Sequence, residues 1–222
     1  MQHTRHEKKE AARREFDRWS QRYDRSILQR LLFRPTYEIL LEEVVRWRSD
    51  TDVMDRPFNA LDIGSGTGSW AAMLRCSRLS ARLVGLDYSI EMCRRAASKT
   101  RELACDGLAF LNGDSEHLPF VDGAFDLITC SHSFHHYPHQ PDVVREMRRV
   151  LRPGGCLIIV DGFRDNIIGW FVFDVFVAWA EGAVHHVPWS TMRTLVQDAG
   201  ITDIRQRKFN VWAPAFATIG RV

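Results

Sequence analysis

The sequence of 222 residues lacks the cysteine spacing of a disulfide framework or of a zinc site. Its five cysteines are an odd number, lie far apart and form no CxxC pair. Paired cysteines are typical of proteins that fold in oxidising compartments. We therefore expect reduced thiols and a cytoplasmic location.

A long hydrophobic run is also missing. The most apolar stretch, residues 167–180, is interrupted by Asp174. As a helix it would rise about 20 Å, which is less than the roughly 30 Å of a bilayer core. The charged N-terminus has no apolar segment of the kind that forms a signal peptide. We expect no membrane span and no secretory leader.

Neither sign of charge is in large excess, because the formal net charge is +2. The first thirty residues are rich in arginine and lysine, but interleaved acidic residues offset much of that charge. Mixed charges at helical spacing are typical of a solvated helix face, so no nucleic-acid partner is predicted. Contact with nucleic acid or with an anionic membrane is the alternative interpretation of this segment.

The pattern of apolar residues changes near residue 58. Residues 5–48 have helical periodicity with a break at Pro35, and residues 49–57 form a polar link. Beyond them, short apolar runs alternate with amphipathic segments, which is typical of βαβ units around a parallel sheet. Strands are predicted at 58–63, 82–86, 108–112, 125–130, 155–161, 201–208 and 212–219, and helices at 68–77, 89–102, 141–151, 167–182 and 189–199.

A glycine-rich turn, LDIGSGTGSW, follows the first predicted strand, with glycines at positions 64, 66 and 68. Glycine permits positive φ and lets backbone N–H groups approach a ligand. The dinucleotide fingerprint needs a glycine at Ser69, so this spacing disfavours a nicotinamide cofactor. Asp62 would repel a pyrophosphate but attract an ammonium or sulfonium group. The turn therefore predicts a cationic ligand.

Two further acidic residues follow predicted strands. Asp87 ends the second strand, where a carboxylate can accept hydrogen bonds from both hydroxyls of a ribose. The alternative for Asp87 is a surface or helix-capping role. Asp114 follows the third strand, where it can accept a hydrogen bond from an adenine amine or serve as a turn residue.

Five sequence blocks in order resemble those of the class I S-adenosylmethionine-dependent methyltransferases. The similarity is to the small-molecule subgroup that includes enzymes of the ubiquinone and menaquinone biosynthesis type. The blocks are LDIGSGTG, GLDYSIEM, GDSEHLPF, the run from FDLITC to LRPGG, and LIIVD. Together they cover roughly residues 58–161, and they are most specific as an ordered set.

The resemblance implies a Rossmann-like, doubly wound α/β fold over residues 51–222, with seven strands of which the last is antiparallel. Residues 1–50 would then form an N-terminal helical cap. The implied cofactor is S-adenosylmethionine, with S-adenosylhomocysteine as product. By position in the blocks, the implied cofactor-binding residues are Asp62, Gly64, Ser65, Gly66, Thr67, Gly68, Asp87, Tyr88, Met92, Gly113, Asp114, Ser115, Cys130, Ser131 and His135.

Four histidines follow the fourth predicted strand, at positions 132, 135, 136 and 139. Histidine titrates near neutral pH, so His135 or His136 is a candidate general base for a phenolic or hydroxyl acceptor. Packing or cofactor contact is the alternative role, and His185 and His186 are second-choice bases. The four histidines lack the ligand spacing of a metal site, and no metal is predicted.

The aromatic segment 167–189 follows the fifth strand, where enzymes of this group carry substrate-specific insertions. It predicts core packing, a homodimer contact or a wall over an acceptor pocket. The main prediction is methylation of a small, apolar or aromatic molecule at oxygen, nitrogen or carbon. The alternatives are a protein or RNA methyltransferase and a non-catalytic protein that binds S-adenosylmethionine.

Overall fold

The computed structural model describes residues 33–50, 56–77, 79, 81–104, 107–162, 187–209 and 214–222. The predicted helices before residue 33, the predicted helix at 167–182 and the second-choice bases His185 and His186 lie outside the described residues. The elements below are therefore numbered within the described part of the chain.

Helices and strands alternate through most of this part of the chain, as predicted. In chain order they are α1 (Arg34–Ser49), β1 (Phe58–Ile63), α2 (Ser69–Cys76), β2 (Ala81–Asp87), α3 (Ile90–Glu102), β3 (Leu108–Asn112), β4 (Phe125–Ser131), α4 (Gln140–Val150), β5 (Leu151–Gly162), α5 (Trp189–Asp198), β6 (Thr202–Phe209) and β7 (Ala215–Arg221). A single 3-10 turn, Phe134–His136, lies between β4 and α4.

The strands form one seven-stranded sheet in the order β3-β2-β1-β4-β5-β7-β6. Neighbours from β3 to β5 pair in parallel, whereas β7 is antiparallel to both β5 and β6. The strand order reverses between β1 and β4, and ligands of such sheets bind at the carboxyl ends of the strands near this point. The predicted Rossmann-like sheet with an antiparallel last strand is confirmed.

Two hydrophobic clusters cover the two faces of the sheet, because successive strand side chains point to opposite faces. Leu61 and Ile128 belong to the cluster that packs under α4 and α5. Ala60 and Leu127 belong to the other cluster, together with residues of α1 and α2. The central strands are thus covered on both faces, whereas the edge strands β3 and β6 are partly exposed.

Helix α1 is part of this packing. Pro35, where the sequence pattern predicts a break, lies in its first turn, where the missing N–H is not needed, so the helix includes this proline. Leu40 and Val44 are fully buried in the cluster shared with the sheet. The buried Glu43 accepts a hydrogen bond of 3.1 Å from Arg205 of β6. The proposed domain boundary at residue 50 stays a prediction.

Strand β5 begins earlier than the sequence predicts. It starts at Leu151, directly after α4, so residues 152–154, which lie between the predicted helix and the predicted strand, belong to the strand. Leu151 pairs with Phe125 before a register shift, which explains how a Pro-Gly-Gly segment stays in the sheet. Within the described ranges, every helix is too short or too polar to cross a membrane.

Candidate functional site

The glycine-rich turn after β1 is held to the end of β2 by its backbone. The N–H groups of Gly64 and Ser65 donate to the Leu86 carbonyl at 2.8 and 3.1 Å. The N–H of Gly66 donates to Oδ2 of Asp87 at 2.8 Å. The turn and the second acidic residue therefore form one unit across neighbouring strands.

Gly64 and Gly66 have different surroundings, although both have positive φ. A Cβ on Gly64 would lie 2.2 Å from Oγ of Ser133 and 2.9 Å from the hydroxyl of Tyr137. A Cβ on Gly66 would meet no atom of the described residues within 4 Å. Gly64 is thus needed for close packing, whereas Gly66 leaves open space over the turn.

Asp87 has a fixed orientation at the end of β2. Its Oδ1 accepts from the N–H of Ser89 at 2.9 Å, and its Oδ2 accepts from Gly66. The Ser89 hydroxyl in turn caps α3 by accepting from the N–H of Met92 at 3.1 Å. A carboxylate oxygen accepts more than one hydrogen bond, so this geometry leaves acceptor capacity for a ligand.

The end of β3 is joined to the same unit. The N–H of Gly113 donates to the Asp87 carbonyl at 3.1 Å, and the Asn112 amide donates to the carbonyls of Asp87 and Tyr88. Asp114 follows directly, and its Oδ1 accepts from the N–H of Glu116 at 3.0 Å. The carboxyl ends of β1, β2 and β3 are thus connected by hydrogen bonds.

Asp62 lies behind the turn. Its side chain is buried and accepts a 2.8 Å hydrogen bond from the Thr129 hydroxyl, which itself accepts from the Trp70 indole N–H at 3.0 Å. Burial raises the pKa of the Asp62 carboxyl to about 7, although the Thr129 hydrogen bond lowers it, and the nearby Asp87 raises it further. A cation bound at the turn would favour the charged form.

A polar network lies at the end of β4, opposite the turn. The Ser133 hydroxyl donates to the Ile63 carbonyl at 3.2 Å and lies 3.0 Å from the Tyr137 hydroxyl. Burial raises the pKa of the Cys130 thiol to about 12 and holds the pKa of Tyr137 well above its usual value. Both groups therefore keep their protons at neutral pH and are donors rather than bases.

His132 connects this end of β4 to α1. It has a positive φ of 50°, which is unusual for a residue other than glycine. Its Nε2 lies 2.7 Å from the hydroxyl of the buried Thr36, and its ring packs edge-on against Phe33 at 5.3 Å. The start of α1 therefore contacts a residue of the site directly.

These elements line one cleft at the carboxyl edge of the sheet. Predicted site residues that line it are Gly64, Gly66, Asp87, Tyr88, Met92, Gly113, Asp114, Ser115, Ser131 and His136. Its lining also includes residues that were not among the predicted site residues, namely Ile63, Leu86, Ser89, His132, Ser133, Tyr137 and Pro138. The cleft runs from the glycine turn to the histidines.

The remaining predicted residues lie outside the lining of the cleft, namely Asp62, Ser65, Thr67, Gly68, Cys130 and His135. Thr67 accepts a 2.9 Å hydrogen bond from the Lys99 ammonium of α3, which fixes the turn from behind. The Ser65 hydroxyl lies close to Gly85, where a Cβ would approach it to 2.8 Å. Gly68 has φ of 72° and is the N-cap of α2.

His135 and His136 are neighbours with different surroundings. His135 is buried, and its Nδ1 lies 2.6 Å from Oδ1 of Asp161, near the end of β5. His136 lines the cleft, and the centroids of the two imidazole rings are 4.1 Å apart. The sequence block LIIVD contains Asp161, but its pairing with a histidine could not be predicted from sequence spacing.

One group of potential metal ligands occurs among the described residues. Oxygen or nitrogen atoms of Asp114, Glu116 and His117 lie within 4.8 Å of one another. Such clusters are common without a metal ion. Because Asp114 already belongs to the cleft, this group adds no separate site.

Comparison with known proteins adds to this geometry. Residues 61–159 match the family model described as a methyltransferase domain. The demethylmenaquinone methyltransferase of Listeria welshimeri serovar 6b is 30% identical over 185 residues, which covers 72% of this chain and 78% of that protein.

Two solved structures share the fold at low sequence identity. The magnesium protoporphyrin IX methyltransferase of Synechocystis PCC 6803, determined with bound SAH, has a TM-score of 0.75 at 18% identity and covers 96% of this chain and 99% of that chain. A SAM-dependent methyltransferase from Aquifex aeolicus has a TM-score of 0.68 at 20% identity, with coverage of 92% and 97%.

The curated relative and the matching domain agree with the ordered sequence blocks and with the cleft at the carboxyl edge of the sheet. The chain belongs to the class I S-adenosylmethionine-dependent methyltransferases, in the group that contains the demethylmenaquinone enzymes, and it is an enzyme whose cofactor is S-adenosylmethionine.

Proposed function

We propose that the protein methylates a small aromatic molecule that carries an ionisable hydroxyl group, of the hydroquinone type. The observation that carries the proposal is the make-up of the cleft: the glycine turn and Asp87 line it together with His136 and Pro138, and the Tyr137 hydroxyl lies over the turn. The similarity to demethylmenaquinone methyltransferases supports the same acceptor class.

The described residues fit S-adenosylmethionine on two observations. The space over Gly66 is open, and the Asp87 carboxylate is held at the cleft by the turn itself. We assign Asp87 to the ribose hydroxyls, Tyr88 and Met92 to the adenine and ribose, and Asp114 to the adenine edge. The further proposed contacts are Gly64 at the turn, Gly113 and Ser115 near the adenine, and Ser131 near the methionine moiety. The other predicted site residues lie behind the lining, and we propose that they support the site from there, namely Asp62, Ser65, Thr67 and Gly68 around the turn and Cys130 and His135 near the methionine moiety.

The cofactor, when bound, supplies a methyl group already activated by the sulfonium. The chain therefore needs mainly to align the acceptor and exclude water, and alignment alone can supply about 7–11 kcal/mol of barrier reduction. For methylation at a ring carbon, loss of the phenolic proton makes that carbon nucleophilic, and the hydrogen that the methyl group replaces then leaves as a proton while the hydroxyl is restored. Because Tyr137 and Cys130 keep their protons at neutral pH, we assign the role of base to His136, which lines the cleft.

The test uses the purified chain and S-adenosylmethionine labelled in the methyl group. The acceptors are a short-chain demethylated naphthohydroquinone and, as control, the same hydroquinone already methylated at the ring carbon. We expect label on the ring carbon of the first compound and no label on the second. Lack of transfer to any hydroquinone would overturn the proposal.

The same experiment separates the rival functions. Protein and RNA from cell extract are added as alternative acceptors. Label in either fraction, with none in the hydroquinone, would favour a macromolecular substrate. If S-adenosylhomocysteine never forms in an extract that contains all these acceptors, the chain binds the cofactor without turning it over.

Assembly and location are further parts of the proposal. We propose a homodimer in the cytoplasm, supported by the aromatic segment 167–189 and by the free thiols of the four described cysteines. Light scattering of the purified chain tests the dimer. A mass of one chain across micromolar concentrations would contradict it.

A further inference from the structure

A buried carboxylate–imidazole pair lies behind the wall of the cleft. Asp161 and His135 are 1% and 6% exposed, and Oδ1 of Asp161 lies 2.6 Å from Nδ1 of His135. The same oxygen accepts from the N–H of Gly162 at 2.7 Å. A buried carboxylate is costly unless such donors surround it, so the pair is a specific arrangement.

The fold brings these two residues together from separate segments. Asp161 comes from β5 and His135 from the 3-10 turn after β4, and the two strands pair in parallel up to Ser131 and Val160. Asp161 therefore lies at the carboxyl edge of the sheet. It does not line the cleft described above, so contact with the cofactor does not account for it.

The pair determines the protonation of one imidazole nitrogen. We take Asp161 as ionised in this pair; an ionised carboxylate only accepts hydrogen bonds, so Nδ1 of His135 then carries the hydrogen. The ring is then fixed in one tautomer and one plane. Because the His135 and His136 rings are 4.1 Å apart, a fixed His135 limits the positions that the His136 ring can adopt at the cleft.

We propose that Asp161 is a positioning residue for methyl transfer, which orients His135 so that His135 holds the imidazole of His136 at the acceptor end of the cleft. The role given to His136 rests on the proposed function. Asp161 itself touches neither the acceptor nor the cofactor and acts through His135.

Nitrogen NMR of histidine-labelled protein tests the proposal without any acceptor, because the Nδ1–H and Nε2–H tautomers give different signals. We expect His135 to carry its hydrogen on Nδ1. In Asp161→Asn, the amide oxygen can still accept from Gly162 and His135 but carries no charge, so the preference of His135 for the Nδ1–H tautomer should weaken and the Nε2–H form should appear. The signals of His136 should then broaden, because its ring is less constrained.

Kinetics with the accepted substrate provide the second readout. We expect kcat of Asp161→Asn to fall by at least about tenfold, while the KM for S-adenosylmethionine changes less than about twofold. The matched control is Asp142→Asn. It disrupts another histidine–carboxylate pair, His139 with Asp142 at 2.8 Å, whose histidine side chain is 54% exposed, and it should leave kcat unchanged.

If the Asp161→Asn variant does not fold, the kinetics are measured on His135→Gln instead, because the glutamine amide can still donate a hydrogen bond to the Asp161 carboxylate. An Nε2–H tautomer of His135 in the wild type would overturn the proposal. Unchanged His136 signals and unchanged kcat in the folded variant would also overturn it. Absence of hydroquinone methylation by the wild type is a separate result, because it contradicts the proposed function and leaves the tautomer measurement valid.

Discussion

The two ends of the cleft are built in different ways. The cofactor end consists of backbone: N–H groups of the turn at 64–66 donate to β2, and glycine conformation sets its shape. The acceptor end consists of side chains that meet from distant segments, such as Thr36 with His132 and His135 with Asp161. The cofactor end therefore depends on glycine at the positions of positive φ, whereas the acceptor end depends on particular pairs of side chains.

The strongest test of this difference is Gly64→Ala. The alanine Cβ would lie 2.2 Å from Oγ of Ser133, and the alanine would have to adopt the positive φ of this position. We expect unfolding free energy to fall by about 2–4 kcal/mol, because overpacking adds to conformational strain. Urea denaturation without cofactor measures this change.

Gly154→Ala is the matched control, since its φ is 77° and a Cβ there would meet no atom of the described residues within 4 Å. Only the conformational cost of about 1–2 kcal/mol should appear. Equal losses in the two variants would show that close packing against Ser133 has no effect.

Asp87→Asn tests the side-chain acceptor at the cofactor end. Loss of a charged acceptor should weaken S-adenosylhomocysteine binding by about 10- to 100-fold, because hydrogen bonds to charged groups contribute about 1.5–3 kcal/mol. Calorimetric titration measures the affinity. Glu91→Gln, which removes a partly exposed charge on α3, is the control and should bind as the wild type does. Unchanged affinity in Asp87→Asn would remove this residue from the site.

Asp62 gives the cofactor end a pH dependence. Its pKa is raised to about 7, so the folded chain binds this proton more tightly than the unfolded chain does. The contribution of Asp62 to stability without ligand therefore falls as pH rises from about 4 to about 7. Affinity for a ligand with an ammonium group should rise several-fold over the same window, because that cation favours the ionised carboxylate.

Titration calorimetry at several pH values checks this expectation with two ligands. S-adenosylhomocysteine carries the ammonium group, whereas adenosine lacks it and should show little pH dependence. In Asp62→Asn the rise for S-adenosylhomocysteine should disappear. A rise of the same size in that variant would assign the effect to another group.

The smallest effect is expected at the contact between α1 and the acceptor end. Thr36→Val removes the hydroxyl that lies 2.7 Å from Nε2 of His132. We expect a loss of about 1–2 kcal/mol in unfolding free energy, with cofactor affinity nearly unchanged. Thr194→Val on the exposed face of α5 is the control and should change stability by less than about 0.5 kcal/mol. Equal losses of unfolding free energy in the two variants would mean that the contact between Thr36 and His132 does not stabilise the fold.

The same contrast explains what sequence could predict. The strand–turn–helix pattern and the glycine spacing are local, so the fold, the turn at 64–68 and Asp87 were within reach of sequence patterns. The partners of the acceptor end are far apart along the chain: His135 and Asp161 are 26 residues apart, and Thr36 and His132 are 96 residues apart. Spacing carries no information on such pairs.

Asp62 and Tyr137 illustrate the limit within the site itself. The sequence shows that Asp62 precedes the turn, but its burial and its hydrogen bond with Thr129 depend on how β4 lies beside β1. Tyr137 follows the paired histidines in sequence, yet its closeness to Gly64 arises only because the 3-10 turn brings it back over the glycine turn. Both depend on packing between segments that are distant in the sequence.

The central claim is that the carboxyl ends of β1, β2 and β3 hold the cofactor. A crystal structure of the chain with S-adenosylhomocysteine tests it most directly. We predict the ribose hydroxyls within hydrogen-bonding distance of the Asp87 carboxylate and the ligand lying over Gly66. A ligand bound elsewhere on the chain, with this cleft containing only solvent, would contradict the claim.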